Sequence, residues 1–111
     1  MGALGWKLYL DDIRIPTDES FVIARSLDEA RRLVLQNDMP TFISFDHDLG
    51  IDDSGILLPS GYDFAKWLVE SDLQKIIQIP DNFSFKVHSQ NPVGAKNIEG
   101  LINGYLKSKE K

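Results

Sequence analysis

Phe42-Ile43-Ser44-Phe45-Asp46-His47-Asp48-Leu49-Gly50 decides how this chain is read, because a mostly apolar run passes straight into an acid, an imidazole, a second acid and a glycine. An apolar run bounded by a turn signal is the pattern of a strand buried in a sheet, which places Asp46, His47 and Asp48 at its carboxyl end. Open parallel sheets carry their ligand sites at that end. Two further segments repeat the arrangement: Leu8-Tyr9-Leu10 ends in Asp11-Asp12, and Phe85-Lys86-Val87 ends in His88-Ser89-Gln90-Asn91. The expectation is one site built from three strand ends.

Upstream of that stretch, Trp6 to Leu10 forms a first strand, Asp11 to Ser20 a polar loop, and Phe21 to Arg25 a second strand rich in β-branched and aromatic residues. Ser26-Leu27-Asp28-Glu29 has the form of a capping box, the Ser hydroxyl serving the third helical amide and Glu29 reaching back to the cap's own N–H. Leu27, Ala30, Leu33 and Val34 make one face of the helix, which stops near residues 37–40. Downstream, residues 51–59 are too irregular for an element and read as a loop over the site, often a lid. Ser60-Gly61-Tyr62-Asp63 caps a second helix running to about Ser71, with Phe64, Ala65, Trp67 and Leu68 as its buried stripe. Residues 73–79 are ambiguous. Phe83, Phe85 and Val87 alternate with Ser84, Lys86 and His88, the period of a strand at a sheet edge. Asn91 caps a last helix with Pro92 at its first position, and Ala95, Ile98, Leu101, Ile102, Tyr105 and Leu106 form its stripe up to the charged tail, residues 107–111. Strands alternating with helices predict an α/β fold, a small three-layer sandwich of about four mostly parallel strands with right-handed crossovers.

At 111 residues, the chain is expected to be a single domain over residues 1–111. Apolar residues at 42% and charged residues at 26% are ordinary for a globular protein, so disorder is not expected. A net charge of −5 argues against a broad nucleic-acid surface. It leaves room for a small phosphate-bearing ligand held through a metal. The absence of cysteine removes disulfides, thiolate metal sites and a Cys nucleophile, and points to the cytoplasm. No export signal or membrane-spanning run is visible.

Asp11, Asp12, Asp46 and Asp48 are four carboxylates that this topology brings together. Unshielded, they repel one another, so either a divalent cation neutralises them or they serve as caps and loop solvation. Oxygen ligands without thiolate favour Mg²⁺ or Mn²⁺, while His47 and His88 keep a transition metal open. His88 is either a half-exposed edge residue or a general acid or base beside a phosphate. By alternation Asp46 and Asp48 share one face and His47 takes the other, unless the turn at Gly50 breaks the pattern. The helix start from Asn91 to Asn97, with Gly94, offers amides and a dipole to an anion. Arg14 either makes a bidentate phosphate contact or pairs at the surface with Asp12 or Asp18.

Leu8-Tyr9-Leu10-Asp11-Asp12, Phe45-Asp46 with Gly61, and Val87-His88-Ser89 resemble strand ends of response-regulator receiver domains. That resemblance implies Asp11 and Asp12 on Mg²⁺, Asp46 as phosphate acceptor and Ser89 on the phosphoryl group. Two departures stand against it: a loop replaces the helix between the first two strands, and the fifth strand with its Lys is absent. A closer similarity is to a receiver-like family described as cyclic-phosphate processing. It is carried by Leu10-Asp11-Asp12-Ile13-Arg14, Phe45-Asp46-His47-Asp48-Leu49-Gly50, Ser60-Gly61-Tyr62-Asp63 and His88-Ser89-Gln90-Asn91-Pro92-Val93-Gly94-Ala95-Lys96-Asn97. This implies a metal-dependent phosphoesterase acting on cyclic phosphate ends or cyclic nucleotides, the extra histidines replacing receiver phosphotransfer. In that reading Asp11, Asp12, Asp46 and Asp48 hold the metal, His88, His47 and Asp46 are catalytic, and Arg14, Ser89, Asn91, Gly94 and Asn97 bind the substrate, a nucleotide or RNA end. The alternative is a non-catalytic phosphate-binding or protein-interaction module of the same fold.

Overall fold

The computed structural model describes residues 5–109; the start of the chain and the last two residues of the charged tail, Glu110 and Lys111, lie outside the described residues. Strands β1 (Lys7–Leu10), β2 (Phe21–Ala24), β3 (Phe42–Phe45) and β4 (Ser84–Val87) form one parallel sheet in the order β2-β1-β3-β4. Helices α1 (Leu27–Asn37), α2 (Gly61–Leu73) and α3 (Pro92–Lys109) complete the chain. Strand β4 lies at an edge, as its alternation predicts.

The crossovers from β2 to β3 and from β3 to β4 step the same way across the sheet, so right-handed connections put α1 and α2 on one face. Helix α3 packs beside α2 and adds Ile98 and Ile102 to the same core. The step from β1 to β2 runs the other way, and a helix there would cover the opposite face. Here residues 11–20 make that step as a loop. The receiver-like α/β fold is therefore four parallel strands with three helices, a loop standing where a receiver has its first helix, as the sequence predicts.

Leu8, Leu10, Ile43 and Phe45 point to the helical face and are fully buried against Ala30, Val34, Phe64 and Leu68. On the opposite face Tyr9 meets Phe21 edge-on at 5.6 Å, and the Lys7 ammonium lies 4.6 Å from the Phe21 ring centre. Lys7 also pairs with Asp18, which ties the long loop down on this side.

Both predicted serine caps form. Ser60 and Asp63 form the full reciprocal box, Asp63 accepting from the Ser60 amide at 2.8 Å and donating its own amide to Ser60 Oγ at 3.3 Å. At α1 the Ser26 hydroxyl accepts from Glu29, but the Glu29 carboxylate takes the Arg25 amide at 2.6 Å instead of the cap's own. Arg25 directly follows edge strand β2, and its amide lies within reach of the first helical turn.

The ambiguous segment after Leu73 is closed by one buried acid. Asp72 accepts the Ile79 amide at 2.8 Å, the Lys109 ammonium at 2.8 Å and the Tyr105 hydroxyl. Burial would raise its pKa, but these three donors outweigh it and hold the carboxyl below its usual range. Burial and the neighbouring carboxylate push Tyr105 up to about 12. Asp72→Ala is expected to lose about 2 kcal/mol, the cost of leaving the part-buried Ile79 amide and Tyr105 hydroxyl without their acceptor. Urea denaturation at neutral pH checks this, and an unchanged midpoint would contradict it. Among the described residues, no helix is long and apolar enough to cross a membrane.

Candidate functional site

Leu10, Phe45 and Val87 are in register on three adjacent strands. The backbone ladder then runs one residue further: the Asp11 amide donates to the Ala24 carbonyl at 3.1 Å, Asp46 to Leu10 at 2.8 Å and His88 to Phe45 at 2.9 Å. Asp11, Asp46 and His88 are thereby held level at the sheet's carboxyl end. Two residues on from Tyr9, Ser44 and Lys86, they share the helix-free face.

Asp11 is 1% exposed and uses both oxygens. Its Oδ1 accepts the Ile13 and Arg14 amides, each at 2.9 Å, and its Oδ2 meets His88 Nε2 at 2.9 Å. Burial raises its pKa, but the two amides and His88 outweigh that and keep the carboxyl below its ordinary value. His88 is pinned from both sides, since Nδ1 lies 2.6 Å from Ser44 Oγ and its ring stacks on Tyr9 at 4.6 Å. Asp46 has the opposite electrostatics. Burial, then the charge of Asp11, pushes its carboxyl above the usual range despite the His47 amide and the Ser89 hydroxyl.

One ligand atom from each of Asp11, Asp46 and His88 lies within 4.8 Å of the others. Two carboxylates, one of them made costly to ionise by burial and then by the charge of the other, form a site that a hard divalent cation would relieve. The donors therefore fit Mg²⁺ or Mn²⁺, with the imidazole more tolerable to Mn²⁺.

A family model described as the cyclic-phosphate processing receiver domain matches residues 6–104. The chain belongs to that family. No curated protein matches it. A solved structure described as the yeast Spc42 trimeric coiled coil, amino acids 181–211, fused to another structure, is similar with a TM-score of 0.53 and 16% identity. The match covers 96% of this chain and 81% of that one, and shows the fold alone.

In this cyclic-phosphate processing receiver domain the predicted residues are placed unequally. Asp11, Asp46 and His88 converge. Asp12, half-buried, falls outside the group, as does Asp48. Asp48 does not share the Asp46 face: its side chain is 61% exposed and accepts from His47 Nδ1 at 2.9 Å and Asn91 Nδ2 at 3.4 Å. The reason is that the chain leaves the sheet after Asp46, where the His47 carbonyl turns to accept the Gly61 amide at 2.7 Å.

His47 points to the helical side, as alternation predicts. Its ring occupies the space of a Cβ at Gly94, only 2.4 Å away, so Gly94 makes room for the imidazole. The Gly94 amide is already taken by the Asn91 carboxamide at 2.9 Å, which makes Asn91 the helix cap and removes that amide from anion binding. Ser89 Oγ accepts from the Asn91 amide at 3.0 Å, and Asn97 is exposed on α3 outside the group. Arg14 belongs to the site: its Nη1 donates to the His88 carbonyl at 2.9 Å and its Nε lies 4.0 Å from Asp11. The 51–59 loop is more regular than expected, a turn closed by the Leu58 amide on Gly50 at 3.0 Å and an Ile51–Leu57 bridge.

Ser44, Tyr9 and Arg25 were not singled out in the sequence. Arg25 Nη1 donates to the Asp11 and Arg14 carbonyls at 3.1 and 2.7 Å and braces the turn that carries both. Ser44 left one signal, a hydroxyl in the middle of a buried apolar strand.

Proposed function

We propose that this domain is a divalent-metal-dependent phosphoesterase acting on cyclic phosphate ends or cyclic nucleotides. The observation that carries this reading is the convergence of Asp11, Asp46 and His88 at one level of the sheet. Asp11 and Asp46 would hold Mg²⁺ or Mn²⁺, which when bound polarises a phosphate and lowers the pKa of a bound water. His88 Nε2 moves the proton. Arg14, tethered through Nη1, offers the rest of its guanidinium to the phosphate, and Ser89 beside Asp46 orients an oxygen.

The test is turnover of 2′,3′-cyclic and 3′,5′-cyclic nucleotides with Mn²⁺. His88→Ala is expected to lose about 10²–10⁴-fold in rate, the usual worth of a positioned acid or base. No turnover across the panel, with the variant indistinguishable from wild type, would sink the reading. One observation favours a binding module instead: both ring nitrogens of His88 are already bonded within the protein. Ligand that binds and is recovered unchanged would decide for that module.

A further inference from the structure

We infer that the buried Ser44 hydroxyl is a positioning residue that lets His88 change tautomer, presenting Nε2 as an N–H toward free Asp11 and as a lone pair able to take a proton when Asp11 and Asp46 hold a cation. The inference rests on the metal-dependent reading above and concerns the protein's own part in it.

Ser44 is 0% exposed in the middle of β3, with Oγ 2.6 Å from His88 Nδ1. The other ring nitrogen, Nε2, faces Asp11 Oδ2 at 2.9 Å. A carboxylate only accepts, so here the proton sits on Nε2, and in the neutral ring Nδ1 is bare and receives the Ser44 O–H. A cation on the two carboxylates repels that proton and favours the Nε2 lone pair. The ring proton then belongs on Nδ1, where it needs an acceptor, and metal-facing histidines donate their far N–H in this way.

A hydroxyl serves both states because it carries one rotatable donor and two lone pairs. A backbone carbonyl or a carboxylate in its place would hold the ring in one state. Tyr9 stacks on the ring at 4.6 Å with 5° between the planes, and the His88 side chain is only 14% exposed. The ring therefore keeps its place in both states, one proton leaving Nε2 to solvent and another reaching Nδ1 from solvent.

Long-range ¹H–¹⁵N spectra of ¹⁵N-labelled protein in mildly alkaline buffer read the tautomer, and titration calorimetry reads Mg²⁺ affinity. In wild type, His88 is expected as the Nε2–H form without metal and the Nδ1–H form with Mg²⁺. Ser44→Ala should hold the Nε2–H form throughout and bind Mg²⁺ about tenfold more weakly, as losses of such supporting hydrogen bonds do. Ser44→Thr should restore the wild-type response and Ser44→Val, of nearly the same shape, should not. That contrast separates the hydroxyl from packing. The inference is overturned if Ser44→Ala matches wild type in tautomer and affinity, or if the wild-type tautomer ignores bound Mg²⁺, and either result leaves the phosphoesterase reading standing. Wild type that binds neither Mg²⁺ nor Mn²⁺ overturns both.

Discussion

Asp46→Asn is expected to cut the proposed cyclic-phosphate hydrolysis about 10³-fold while making the metal-free protein more stable. The two effects have one cause. Burial and the neighbouring Asp11 raise the Asp46 pKa, so the folded state disfavours the ionised carboxylate. A carboxyl whose folded pKa exceeds its unfolded value makes stability fall as pH rises through that interval, and the full penalty is present at neutral pH. Asn carries no charge, and its carbonyl can still accept the His47 amide that Asp46 Oδ1 takes at 2.8 Å. After solvent screening the gain is at most about 1 kcal/mol, a few degrees in Tm.

The same substitution removes one of the two carboxylates proposed to hold the cation. Activity should fall by about 10³-fold, several kcal/mol of transition-state stabilisation. Mg²⁺ should raise the wild-type Tm, by about 2.7 kcal/mol of linkage at a hundredfold excess over Kd, and leave the variant unmoved. Thermal melts of both proteins across mildly acidic to neutral pH, with and without Mg²⁺, measure all of this. Identical melts in every condition would refute the electrostatic account.

Gly61→Ala should do the largest structural damage. A Cβ there would lie 1.9 Å from the Asp46 carbonyl oxygen and 3.3 Å from the His47 Cα, all backbone atoms that no rotamer change can move. Helix α2 starts against the end of β3, and only a residue without a side chain permits that approach. The expected loss is about 3 kcal/mol or more, and relief of the clash displaces Asp46, so Mg²⁺ binding should fall with stability. Gly100→Ala is the control. Its Cβ meets nothing within 4 Å on α3, and it should gain about 0.5–1 kcal/mol from helix propensity alone. Equal denaturation midpoints for the two variants would remove the argument.

Residues 42–50 carried most of what could be known beforehand. Period and punctuation placed every strand and helix, because alternation, capping residues and Pro92 act within a few residues of themselves. The three strand ends were legible for the same reason. Asp48 was misplaced because alternation holds only while the chain stays in the sheet, and it leaves after Asp46 to meet Gly61. Which face each helix covers was not legible, because it depends on strand order, β2-β1-β3-β4, which no local pattern encodes.

The sequence by itself therefore determined the elements, the family and the candidacy of Asp11, Asp46 and His88. Only the tertiary structure decided that these three stand level on the helix-free face, that Asp12 and Asp48 stand apart, and that Ser44 lies under the imidazole. The physical reason is range: propensity and capping are set by neighbours along the chain, whereas a carboxylate, an imidazole and a hydroxyl from strands dozens of residues apart meet only through register.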